Sequence, residues 1–149
     1  MPPPPEEELE IVFPGLSGVS WEVASPQDTT YNCVAFAIGE VDRWWWPLAL
    51  PASGGYWPQD SPRAETLEAF RATLQGRGFM PVEDEALVEG VSKLALFARS
   101  ARVVHVAVQR EDGRWASKLG TQWDIVHPLR ALEGEEYGSV AAILARPTR

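Results

Sequence analysis

One cysteine, Cys33, stands in the 149 residues of this chain. A small secreted fold stapled by disulfides is therefore excluded, and the chain reads as a cytoplasmic protein. Histidine is almost as scarce, with His105 and His127 alone. No clustered Cys/His set is present for zinc, so no metal is expected. Phosphate-binding glycine loops and dinucleotide fingerprints are missing too, so no nucleotide cofactor is expected. Positive charge is short: 13 Lys and Arg against 21 Asp and Glu leave a net charge of −8. That balance opposes a phosphate backbone and an anionic membrane surface, so neither nucleic acid nor membrane is expected as a partner. No apolar run approaches the ~20 residues of a membrane helix, and no signal-peptide pattern opens the chain. What the sequence has in excess is proline, 13 residues, and tryptophan, seven. Hydrophobic residues make up 45%, enough for the core of one domain of this length.

The opening MPPPPEEE reads as a solvated tail over residues 1–8: the prolines favour an extended polyproline stretch and the glutamates repel. A single domain is expected over 9–149. Its first element is a short strand, Leu9 to Phe13, ended by Pro14-Gly15. A helix is predicted from Asn32 or Cys33, with Val34, Ala37, Ile38, Val41 and Trp45 on its apolar face and Pro47 closing it. Residues 47–60 read as a long ordered loop. Ser61-Pro62 starts a second helix whose buried stripe is Leu67, Phe70 and Leu74, with Gly76-Arg77-Gly78 at its end. Periodicity then changes from 3.6 toward 2. Strands are expected at Lys93 to Ala98, Arg102 to Gln109, Arg114 to Lys118 and Val140 to Ala145, with a helical turn at Pro128 to Leu132. The order describes an α+β domain with N-terminal helices on an antiparallel sheet.

Cys33 sits where the first helix begins. Free first-turn amides and the helix dipole stabilise a thiolate there, lowering the pKa from the ~8.5 of a free thiol. The same amides could serve an oxyanion, while the bland alternative is a buried packing cysteine. His105 interrupts an apolar strand in which Val104, Val106 and Val108 share one face and Val103, His105, Ala107 and Gln109 the other. A polar ring on a half-buried strand needs a partner: a backbone or side-chain group, or the Cys33 thiol, for which it would act as base and then acid. His127, before Pro128, reads as a surface or capping residue. Asp124 is one candidate for orienting the imidazole, and Ser117 and Lys118 are others. Read as a two-residue turn, Asp112-Gly113 sets Ala107 opposite Lys118 and puts Lys118 on the face of His105; a slip of one residue puts Ser117 there instead. Trp44-Trp45-Trp46-Pro47 and Tyr56-Trp57-Pro58 either knit the loop to the core or rim a flat or apolar ligand, with Trp45 and Trp57 as binding candidates.

A helix-start cysteine followed much later by a histidine on an antiparallel strand resembles the papain-like hydrolases, specifically the small bacterial branch of CHAP amidases and cell-wall endopeptidases. Asn32-Cys33 and the small and apolar residues after it look like that branch's nucleophile segment, with His105 as its base. Gln27 lies six positions before Cys33, the spacing at which papain places its oxyanion glutamine. The resemblance covers roughly residues 27–118. It implies a papain-like fold and a Cys-His dyad or triad acting on a peptide or other amide substrate without a cofactor. Asn32, Trp45, Trp57 and Lys118 would then line the binding region. The Ser117-Lys118-Leu119-Gly120 segment with Trp123 to His127 also resembles an uncharacterised bacterial family, which assigns no substrate. A non-catalytic peptide-binding module built on the Trp-rich loop is the alternative.

Overall fold

The computed structural model describes residues 5–25, 31–48, 55–119 and 123–148. In chain order these form α1 (Pro5–Val12), β1 (Glu22–Ser25), α2 (Cys33–Ile38), β2 (Trp44–Trp45), β3 (Gly55–Tyr56), α3 (Leu67–Gln75), β4 (Met80–Val82), β5 (Val91–Arg99), β6 (Arg102–Gln109), β7 (Trp115–Lys118), β8 (Asp124–His127) and β9 (Ser139–Pro147). Turns of 3-10 helix occupy Pro14–Leu16 and Leu129–Leu132. Seven strands make one antiparallel sheet in the order β1-β8-β7-β6-β5-β9-β4, and β2 and β3 pair in parallel. The architecture is α+β.

Several local expectations are corrected. Residues 5–12 are helical where a tail and then a strand were expected. Glu6, Glu7 and Glu8 occupy the first turn, where the helix dipole favours negative charge. Leu9 and Phe13, four apart, are buried while Ile11 is exposed, which is helical and not alternating periodicity. α2 stops at Ile38 and does not run on to Pro47. Gly39 takes the left-handed conformation at φ 79° and donates back to Ala35 and Phe36, so the helix ends before Val41 can join its face. α3 begins at Leu67 because Thr66, not Ser61, caps it: Thr66 Oγ1 accepts from the Ala69 amide at 3.1 Å. Phe70 and Leu74 are fully buried.

The sheet separates two apolar clusters. On one face α2, Trp45, Trp57 and α3 pack with Leu94, Leu96, Val103, Val106 and Leu144. On the other, Leu9, Phe13 and the Leu129–Leu132 turn pack with Ala95, Phe97, Ala107, Trp115 and Ile125. The β5–β6 register shifts between Phe97 and Ala98: Phe97 opposes His105 but Ala98 opposes Val103, so Val104 is an extra, bulged residue. Val103 therefore joins the α2 face, not the face of His105 as strict alternation requires.

The β6–β7 turn is one residue longer than expected. Arg110 N–H bonds Arg114 O at 2.7 Å, and Gly113 sits at φ +88°, the left-handed position of a three-residue hairpin loop. This sets Val108 opposite Ala116 and Gln109 opposite Trp115. Among the described residues the β6–β7 ladder comprises only these two pairs, so the strands part beside His105 and Val106.

Candidate active site

Shifting the hairpin by one residue brings Ser117, not Lys118, onto the face of His105. Ser117 Oγ lies 2.9 Å from His105 Nε2 and 2.8 Å from His127 Nε2, and all three side chains are fully buried. His127 Nδ1 lies 2.8 Å from the carbonyl oxygen of Pro128. The carbonyl can only accept, so the His127 proton sits on Nδ1. Burial holds His127 down to about 4, keeping its ring neutral and its Nε2 bare at pH 7. Ser117 must then donate to His127 and accept from His105 Nε2–H. Burial, with the nearby His127, also holds His105 well below its ordinary value. A neutral His105 with its proton on Nε2 has a bare Nδ1, and that atom is buried without a hydrogen-bond partner. The chain thus fixes one tautomer, with a lone pair free to take a proton.

Cys33 approaches the same stretch of β6 from the α2 side. Its helix start is built by Asn32: Oδ1 accepts from the Ala35 amide at 3.3 Å and the Trp45 amide at 3.0 Å, while Nδ2 donates to Trp45 O at 2.6 Å. Asn32, expected to bind substrate, clasps α2 to β2 and also lines the cavity that Cys33 borders. The backbone amides of Val106, next to His105, of Val34 and of Cys33 itself act on the Cys33 thiol. These amides pull the thiol pKa down, but burial outweighs them and pushes Cys33 up to about 11. The expectation of a thiolate activated by the helix start is corrected: desolvation wins over a helix of only six residues. The residue is 7% exposed. It borders a cavity of about 300 Å³ lined by Asn32, Cys33, Trp44, Trp46, Val104 and Tyr137.

Tyr137 links the two halves. Its ring stacks on His105 at 4.2 Å between centroids and 6° between planes, and it also lines the Cys33 cavity. Its phenol is raised by burial and by the neighbouring Cys33, so it stays protonated.

The remaining expected residues lie elsewhere. Asp124 stands opposite Lys118 in the β7–β8 register, while Ser117 opposes Ile125, so Asp124 is on the sheet face turned away from His105 and Ser117. It cannot orient the imidazole. Lys118 is fully buried on that same far face, its ammonium 5.3 Å from the Tyr31 ring centre. Trp45 and Trp57 are core residues, 0% and 3% exposed, so neither rims a ligand site. The half-buried Trp44 and Trp46 reach the cavity instead. Gln27 lies outside the described residues. His127 and Tyr137 were missed: the Asp124–His127 alternation could have turned His127 inward with Ile125, but nothing local marked Tyr137. Among the described residues no three His, Cys, Asp or Glu side chains gather as metal ligands, and no helix is long and apolar enough to cross a membrane.

Neither a curated protein nor a solved structure matches this chain. A family model matches residues 22–145, a span holding Cys33, His105, Ser117, His127 and Tyr137, and the chain belongs to that family, described as a domain of unknown function, DUF7689.

Proposed function

We propose that this protein is a cysteine hydrolase or acyl-transfer enzyme of papain-like type, acting on an amide or related carbonyl, with Cys33 as nucleophile and His105 as base. The observation that supports the reading is the bare, buried Nδ1 of His105, fixed as an acceptor in a ring stacked on Tyr137, which also lines the Cys33 cavity. With the thiol at about 11, only about one molecule in ~10⁴ holds a thiolate at pH 7. The thiol is therefore deprotonated during attack, not before it. As Sγ bonds to the carbonyl carbon, its proton passes to His105 Nδ1. His105 then returns that proton to the departing nitrogen as the C–N bond breaks, leaving a thioester on Cys33. Water attacks the thioester carbon, gives a proton to His105, and the acid leaves as the sulfur is reprotonated. Ser117 and His127 take the place of Asp124 as the groups that set the tautomer. No cofactor is required. The lone cysteine fits a reducing, cytoplasmic setting.

The alternative, a non-catalytic peptide-binding module, draws on Trp44 and Trp46 at the cavity. It loses Trp45 and Trp57, which lie in the core.

Incubation with p-nitrophenyl acetate tests the proposal, with released nitrophenolate followed by absorbance and the acetyl group located by mass spectrometry. One acetyl group on Cys33 is expected, absent in Cys33→Ala and formed roughly a hundredfold more slowly in His105→Ala. Absence of acetylation at Cys33, or an unchanged rate in His105→Ala, would overturn it.

A further inference from the structure

We infer that the Tyr137 ring is the charge-stabilising partner of His105, in a histidine relay that reaches no carboxylate among the described residues. The inference rests on the hydrolase reading of Cys33 and His105.

During acyl transfer His105 holds a proton on both ring nitrogens, so an imidazolium forms in a fully buried position. Isolated buried charge is costly unless something compensates it. The hydrogen-bond chain from His105 offers little, because it runs through a hydroxyl and a neutral imidazole to a backbone carbonyl. Each of these polarises the next, but none carries negative charge. What lies over the ring is aromatic. Phe97 is tilted at 59° with centroids 5.4 Å apart, whereas Tyr137 lies flat against His105 at 4.2 Å and 6°. A parallel stack sets the electron-rich face of the phenol ring over the imidazole, where it attracts a cation more strongly than a neutral ring. The contact therefore favours the protonated state that the reaction passes through.

The loop that carries Tyr137 is built to hold it there. Gly134 and Gly138 bond each other in both directions at 2.9 and 2.8 Å, both with positive φ, closing a tight loop around residues 135–137. Arg99 donates to the carbonyls of Glu135 and Glu136 at 2.9 and 3.1 Å, and Phe13 packs on the Tyr137 ring with centroids 4.9 Å apart. Such a clamp fixes ring orientation, which an electrostatic role needs more than simple cavity filling does.

The test replaces Tyr137 by phenylalanine and then by phenylalanines bearing one, two and three ring fluorines, which drain the π face while barely changing shape. Cys33 acetylation by p-nitrophenyl acetate is measured for each, together with the protonation midpoint of the ¹⁵N-labelled His105 ring. Tyr137→Phe is expected within about threefold of the parent, since the ring face is kept. Each fluorine then lowers the rate, to roughly tenfold in all, and lowers the His105 midpoint in step. Tyr137→Leu, which packs without a π face, is expected to match or fall below the trifluoro variant. A flat series in both measurements overturns the inference while leaving acetylation of Cys33, and hence the hydrolase reading, intact. A stepwise fall in the midpoint without any Cys33 acetylation supports the ring contact and sinks the hydrolase reading instead.

Discussion

Strands β7 and β8 bury polar side chains on both faces of the sheet, but the two faces solve the problem differently. On the α2 face, Lys118 and Asp124 stand opposite one another, and the buried ammonium also lies over the Tyr31 ring. On the other face, His105, Ser117 and His127 are linked through neutral hydrogen bonds that end on the Pro128 carbonyl. On the first face the groups are of opposite formal charge and share one rung of the β7–β8 ladder. A neutral chain with one fixed end leaves its other end with a spare lone pair, and that end is His105 Nδ1. One residue of hairpin register decides which face meets β6.

Breaking the charged face is expected to have the largest effect on stability. Asp124→Ala removes a buried carboxylate from the position opposite the buried Lys118 in the β7–β8 register, and loss of a buried charge facing another is expected to cost about 3–5 kcal/mol. Chemical denaturation measures this. Acetylation of Cys33 in the folded variant is expected to stay within about twofold of the parent, whereas a large loss would tie Asp124 to His105. Next comes Ser117→Ala, which strands the imidazole nitrogens on either side of the removed hydroxyl. Each loses a buried hydrogen bond, for a total cost of about 3 kcal/mol. The same variant frees the His105 tautomer, so acetylation is expected to fall roughly tenfold to a hundredfold. Stability lost without any change in rate would reduce Ser117 to a packing residue.

Acid sharpens the contrast. His127 is held at about 4 in the folded protein against 6.5 when unfolded, so between those values the unfolded chain binds more protons. Stability should therefore fall as pH drops from 6.5 toward 4, by about 3 kcal/mol from His127, with His105 adding in the same direction. His127→Phe should flatten part of that slope in a denaturation series; an unaltered slope would mean the histidine is not held neutral. The smallest of these effects lies at alkaline pH. Because Cys33 is pushed up to about 11 from 9.0, the unfolded thiol ionises first and stability should decline above pH 9, by about 2–3 kcal/mol before pH 11. Cys33→Ser should remove most of that decline.

Much of the sheet was legible in the sequence. β6 was placed at its observed bounds, and β5 and β9 were found because their alternating or continuous apolar runs are long. The buried stripe of α3 was read from helical spacing, although its cap was not. What failed were decisions that turn on a single residue. Asp112-Gly113 carries the signature of a two-residue turn, yet Gly113 serves as the left-handed third position of a longer loop, so Lys118 was set where Ser117 stands. The bulge at Val104 breaks strand alternation without a glycine or proline to mark it. Gly39 ends α2 early, which moved Trp45 from a helix face to a buried strand. Of the candidate site, Cys33 and His105 were singled out by chemistry alone. His127 and Tyr137 come from segments distant in sequence, and only tertiary packing brings them to the imidazole.

The most direct measurement is the protonation state of the two imidazoles at pH 7, read from ¹⁵N chemical shifts and one-bond couplings in the labelled protein. Two neutral rings are expected: His105 with its proton on Nε2 and a bare Nδ1, and His127 with its proton on Nδ1 and a bare Nε2. A His105 that carries its proton on Nδ1, or on both nitrogens, would contradict the account, because no lone pair would then be left to receive the proton of Cys33.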